Sequence, residues 1–264
     1  MLRPATSATV RALRSTTGSG CPMEHASRIF PGSATVAYRS RRRRMQVIVG
    51  CSRAERLIRK IKRLQWGRMM VVGQGTFQPY ECEPWAWDCG AYYMHKNSIP
   101  WDDGRFWAEQ AKAEGIGTPL FAVCPDIVAG GADSLRHSLK YMEQLQSHNA
   151  WMGRWYLAVQ DGMDVREVER EMLPFAGLFL GGSDEFKQTA LAWSLLAHRY
   201  GKRFHYGRAG TMKKVRWAKY SRADSLDSSF PLWNYGRFDD FAHWVTEPDP
   251  QTELFSLDGE KDAT

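Results

Sequence analysis

No stretch of this sequence strings together about 18 apolar residues, so nothing in it reads as a membrane-crossing helix. No C-x-x-C pair occurs among the five cysteines, Cys21, Cys51, Cys82, Cys89 and Cys124, which removes a common spacing for structural zinc. Their odd number and scattered placement fit reduced thiols in a cytosolic protein better than a disulfide framework. Cys51 and Cys124 read as buried, apolar-like residues. Neither G-x-G-x-x-G nor a P-loop pattern is present, which argues against a nucleotide cofactor, and no cofactor or metal is expected. Acid is missing from Arg199 to Arg222, where nine basic residues stand, and is reduced to Glu55 between Arg53 and Arg68.

The charge that is present is unevenly spread. Residues 1–44 hold nine arginines and one acid, Glu24, a formal +8 that leaves the remainder at −1 within the total of +7. This segment is rich in Ser, Thr, Ala and Gly, lacks apolar periodicity and reads as a disordered basic extension. The composition also fits an organelle transit peptide. A third reading starts translation at Met45, just before the first convincing strand. Residues 45–246 read as one domain, and 247–264 as an acidic flexible tail. Basic and acidic blocks kept apart suit a surface that meets a polyanion, or else two solvated helix faces.

From Met45 onward short apolar runs alternate with helical stretches. The runs lie at 46–50, 69–73, 85–90, 120–124, 155–159, 177–180, 203–206 and 223–230. Helices are expected near 53–64, 100–114, 132–147, 184–200, 211–222 and 236–245, with a short one after Asp164. Ser52, Asp102 or Asp103, Ser183 and Thr211 stand where caps belong. Repeated strand, loop and helix require a parallel sheet with crossover helices, either open or closed. Polar residues gather at the C-terminal end of strand after strand, which favours a closed (β/α)₈ barrel, whose site is assembled from all its βα loops.

Those strand ends carry three carboxylates, Asp88, Asp126 and Asp227, the amide Gln160, and the pair Gly181-Gly182. No strand end offers a serine with an obvious histidine, and His205 has nothing acidic beside it in the chain. Carboxylates without other chemistry point to glycosyl transfer, one acting on the sugar carbon and another on the leaving group's proton. Asp224 and Asp227 lie three residues apart, so in a strand they cannot share a face. One can sit in a site while the other caps or pairs. Simpler roles exist for each: Asp88 ending a strand, Asp126 capping a helix, Gln160 in a turn, the glycine pair as packing.

Trp87-Asp88-Cys89-Gly90-Ala91-Tyr92, Val159-Gln160-Asp161-Gly162, Phe179-Leu180-Gly181-Gly182 and Asp224-Ser225-Leu226-Asp227 together resemble the strand-end motifs of the queuine/guanine tRNA-ribosyltransferases. The order Gln160 to Gly162, Gly181 to Lys187, Gly201 to Arg208 and Asp224 to Asp227 is more similar to the DpdA-type DNA-guanine transglycosylases. The resemblance covers about residues 84–233. It implies a TIM-type barrel that exchanges guanine in DNA for a 7-deazaguanine base, such as 7-cyano-7-deazaguanine. Asp227 would be the nucleophile on C1′ and Asp88 the acid/base. Asp126 and Gln160 would read the purine edge, and Gly181 and Gly182 would offer N–H groups to its carbonyl. Tyr92 would stack on the base, with Gly207 and Arg208 beside it, while Phe121 belongs to the core. Arg208, Lys213, Lys214 and Arg216 would hold phosphates.

The tRNA enzymes carry a C-terminal zinc site of three cysteines and a histidine. This chain has no cysteine after Cys124, so no zinc subdomain is expected and DNA is the expected polymer. Cys89 and Ala91 replace the family's serine and glycine. A cytoplasmic setting in a bacterium or phage-infected cell, and partner proteins of a modification system, follow from the same resemblance. A tRNA-directed exchange, a base-releasing N-glycosidase and a noncatalytic DNA-binding barrel are the alternatives.

Overall fold

The structure, a computed structural model, describes residues 44–74, 84–148, 150–233 and 235–248. The expected basic extension apart from Arg44, and nearly all of the expected acidic tail, lie outside the described residues, as does most of the irregular segment near Pro79. Eight strands form one closed parallel barrel in chain order: β1 (Gln46–Val49), β2 (Gly67–Val71), β3 (Trp85–Asp88), β4 (Ala122–Val123), β5 (Trp155–Val159), β6 (Gly177–Leu180), β7 (Arg203–Tyr206) and β8 (Ser225–Ser228). Closure is made by β8, which pairs with β7 on one side and β1 on the other. This is a (β/α)₈ barrel of the TIM type.

The helices cover the outside. They are α1 (Glu55–Arg63), α2 (Ala91–Lys96), α3 (Asp103–Glu114), α4 (Gly131–His148), α5 (Val165–Glu171), α6 (Ala190–Arg199), α7 (Met212–Tyr220), α8 (Phe230–Trp233) and α9 (Tyr235–Thr246). Short polar side chains start several of them by accepting orphan N–H groups. Asp102 takes the Arg105 N–H, Asp164 those of Arg166 and Glu167, and Thr211 that of Lys214. Ser52 does not cap α1; its hydroxyl accepts from the Ala54 N–H within the loop, and Ala54 is the residue at the helix start. The helix expected at 184–200 is divided into a 3₁₀ turn, Phe186–Thr189, and α6, with Ser183 accepting the Phe186 N–H.

Parallel partners share a face, so the register sorts the strands' side chains. Ile48 pairs with Asp227, Val71 with Asp88, Val123 with Tyr156, and Phe179 with His205. These residues point into the barrel, while Trp87 and Trp155 lie in the layer under the helices, where Trp151 packs edge-on or tilted against them. Inside, Phe121 stacks on Tyr156 at 4.7 Å, and His205 lies 4.7 Å from both Phe121 and Phe179. This aromatic plug fills the barrel's middle and leaves the layer above it for chemistry. Cys124 is buried as expected, but Cys51 is exposed: it lies just past the β1 end, where inside–outside alternation stops applying. No helix among the described residues is long and apolar enough to cross a membrane.

Candidate active site

Asp88, Gln160, Gly181, Gly207 and Asp227 all fall on inward positions at the C-terminal ends of their strands, the Gln160, Gly181 and Gly207 positions each lying one residue past paired strand ends. The barrel thus brings together residues spread over 140 positions of sequence.

Asp227 is the most elaborately held of these. Its Oδ1 accepts from His205 Nε2 at 3.0 Å and from the Arg208 backbone N–H at 2.9 Å. The other ring nitrogen, Nδ1, lies 2.8 Å from the Ser225 hydroxyl. An ionised carboxylate can only accept, so Nε2 carries the proton that points at Asp227, while the Ser225 hydroxyl, able to donate or accept, serves Nδ1. Both donors converge on one oxygen, and Oδ2 has no partner among the described residues. Burial alone would push the Asp227 carboxyl up; His205, the Arg208 N–H and the Lys187 charge outweigh it and hold the group below its ordinary range.

His205 was not legible as a partner of Asp227, because nothing near it in the chain is acidic. The pairing arises across neighbouring strands: His205 lies beside Ser225, and Asp227 is two residues further along the same face. A histidine on an inward position of a strand adjoining the β8 aspartate is the signal that would have found it.

Asp88 is in the opposite state. Burial, with the nearby charges of Asp126 and Asp227, pushes its carboxyl up to about 7, against the opposing Gly90 N–H that donates to Oδ1 at 2.7 Å. Asp88 therefore does close the strand-end turn, and it also shares an electrostatic field with Asp227. Asp126 does not cap α4. Its Oδ1 accepts from the Cys89 thiol at 3.3 Å and its Oδ2 from Gln160 Nε2 at 3.0 Å, and burial raises it to about 6.

Gln160 sits differently from the expected purine reader. It is 3% exposed, and its amide is consumed by protein: Nε2 reaches Asp126, the Ile127 carbonyl and Ser134, while Oε1 accepts the Ala129 N–H at 2.7 Å. It acts as a brace for Asp126.

The two glycines also divide. The Gly181 N–H is spent on the Val159 carbonyl at 2.8 Å, so it is not free for a ligand. Yet a Cβ at Gly181 would meet nothing closer than 3.5 Å, so packing does not demand glycine there and the backbone is bare toward the opening. Gly182 has φ +74°, and a Cβ would stand 2.6 Å from Asp161 Oδ2, so its glycine is required by the fold. The Gly182 N–H has no partner among the described residues. Gly207 is likewise structural, with a Cβ 2.7 Å from the Leu180 carbonyl, and its own carbonyl accepts from Lys187 Nζ at 2.6 Å.

Arg208 spans the mouth. It holds φ +56°, an uncommon conformation for a residue with a Cβ. Its guanidinium donates to the Gly182 carbonyl at 2.6 Å and lies 4.1 Å over the ring of Tyr92, which is itself 44% exposed. Lys187 had no expected role, yet it is fully buried behind Gly207, and burial followed by the Arg208 charge lowers it to about 7.

The basic segment does not form one phosphate-facing surface. Lys202 and Arg203 are at the opposite end of the barrel, bonded to the Leu173 and Phe175 carbonyls and to Asp224. Lys214 pairs with Asp184 at 2.6 Å, Lys213 lies over Trp217, and Arg216 is exposed. Phe121 is in the core, as its surroundings require. No protein-family model matches the chain, and no curated protein matches it.

Proposed function

We propose that the protein is a glycosyltransferase that exchanges guanine in DNA for a 7-deazaguanine base through an ester to Asp227. The observation that carries this reading is the pair of carboxylates with opposite protonation preferences over one opening: Asp227 held ionised with one oxygen unengaged, and Asp88 poised as an acid near neutrality. In the first half-reaction Asp227 Oδ2 attacks C1′. The C1′–N9 bond breaks, its electron pair leaves with guanine, and Asp88 supplies the proton. In the second, Asp88 as carboxylate takes the proton from N9 of the incoming base, N9 attacks C1′, and the ester to Asp227 breaks. Two inversions retain the sugar's configuration.

Asp126, fixed by Gln160 and Cys89, supplies a rigid acceptor or, protonated, a donor for the purine's polar edge. Gly181 gives a flat ligand an unobstructed backbone, and Tyr92 with Arg208 gives it a face to stack on. The target base has to leave the stack to reach these groups.

DNA labelled in guanine tests the reading. Label should be released when a 7-deazaguanine is supplied, and DNA alone should give a denaturant-resistant adduct that Asp227→Asn abolishes. Equal release with and without the incoming base would make the protein a hydrolase; no release in either case would sink glycosyl transfer on DNA.

A further inference from the structure

Trp233 is the most exposed large apolar side chain among the described residues, at 80%. Tryptophan is seldom so open, since its indole carries a large apolar area. Its base is rigid. In α8 Phe230 packs on Trp244 and Phe241, Pro231 is buried, and Leu232 lies against Gly50 of the β1–α1 loop. Gly210 of the β7–α7 loop lies beside Phe230, where an added Cβ would stand 3.9 Å from the Phe230 Cβ. Three of the four residues of this single turn are thus anchored and the fourth projects. The turn begins three residues after Asp227, so Trp233 stands on the rim of the same mouth, within about 20 Å of the nucleophile along the chain.

The charge on the elements beside it is mixed, with more cations than unpaired acids. Arg53 is exposed in the β1–α1 loop that Leu232 touches, Lys213 is exposed at the start of α7, and the Arg237 guanidinium lies over the Phe230 ring at 5.5 Å. Of the acids on the same elements, Glu55 pairs with Arg59 at 3.5 Å and Asp239 with Lys60 at 2.7 Å, while Asp240 on α9 is exposed. A projecting aromatic with three cations on its own and adjoining elements matches a polyanion whose interior is stacked rings.

We propose that Trp233 is a wedge that enters double-stranded DNA where the target nucleotide has been extruded, with Arg53, Lys213 and Arg237 holding the flanking phosphates. This rests on the base-exchange reading and adds to it that the substrate is a paired duplex. The extruded base leaves a gap beside its orphaned partner; an indole filling that gap recovers stacking lost on extrusion.

The test is single-turnover guanine release, with the incoming base supplied, on three DNAs of one sequence: a paired duplex, the duplex with the target guanine mispaired, and the single strand. Trp233→Ala should lose about 10- to 100-fold on the paired duplex, less on the mispaired one and under about threefold on the single strand. Trp233→Phe should restore most of the loss. Charge reversal at Arg53 and Arg237 should weaken duplex binding and flatten its salt dependence by about one unit of log–log slope per site. An unchanged rate for Trp233→Ala on the paired duplex, or an equal loss on all three DNAs, overturns the wedge while leaving base exchange standing. Wild-type protein inactive on all three DNAs overturns base exchange, and the wedge with it.

Discussion

Asp224 and Asp227 enter and leave the same four-residue strand, and the barrel treats them as opposites. Asp224, at the N-terminal end, has both oxygens engaged: Oδ1 meets Arg203 at 2.8 Å, and Oδ2 meets His198 at 3.0 Å and the Phe204 N–H at 2.9 Å. Asp227, at the C-terminal end, has two donors on Oδ1 and none described on Oδ2. Burial opposes ionisation at both, and both are held below the ordinary carboxylate range by their donors. The difference is therefore in what is left over. A carboxylate with both oxygens engaged ties strands and helix together; one with an oxygen in reserve is available for bond formation. The same division runs across the molecule. The floor ties both oxygens of Asp224 to its neighbours, whereas the mouth leaves Asp227 Oδ2 and a bare Gly181 backbone facing the opening.

Exchanging the two aspartates' fates tests that division most directly. Asp227→Asn should slow adduct formation at least about a thousandfold while leaving the melting temperature near wild type. Asp224→Ala should keep activity within about threefold and cost about 2–3 kcal/mol from lost charged hydrogen bonds, a melting shift of roughly 5–10 °C. Calorimetry alongside the adduct assay reads both, and an active Asp227→Asn would erase the contrast.

The pH dependence comes next in size. The first half-reaction needs Asp88 protonated and Asp227 ionised. Because the Asp88 carboxyl is raised to about 7, single-turnover guanine release should fall about tenfold per pH unit above that point. Because Asp227 is held below its ordinary value of 3.8, no acid limb should appear between about pH 5 and 7. Asp126→Asn removes a negative neighbour and should move the alkaline limb to lower pH. A limb that stays in place after Asp88→Asn would assign the proton to another group, with Lys187 the first to examine.

The smallest effect separates two glycines of the mouth. Gly181→Ala has space for its methyl group, so the fold should keep its melting temperature within about 2 °C while KM for the incoming base rises about tenfold. Gly207→Ala drives a Cβ into the Leu180 carbonyl and should lower stability by about 1–3 kcal/mol. Equal behaviour of the two variants would remove Gly181 from the binding surface.

Much of this molecule was legible in one dimension. Alternating apolar runs and helical stretches required a parallel sheet, and polar residues at strand after strand end favoured its closure into a barrel. Strand alternation alone separated Asp224 from Asp227, because a period of two leaves no choice of face. What the sequence could not supply were relations between strands. His205 lies 22 residues before Asp227, and only the pairing of β7 with β8 makes them partners. Gln160 reads as a ligand-facing amide until α4 brings Ser134 against it, and the basic run from Arg199 to Arg222 reads as one patch until the barrel sends its members to opposite ends. Local periodicity fixes which face a side chain takes, since it depends only on backbone geometry. Which oxygen of a carboxylate remains unengaged depends on neighbours that strand pairing alone brings to about 3 Å, and that was decided in three dimensions.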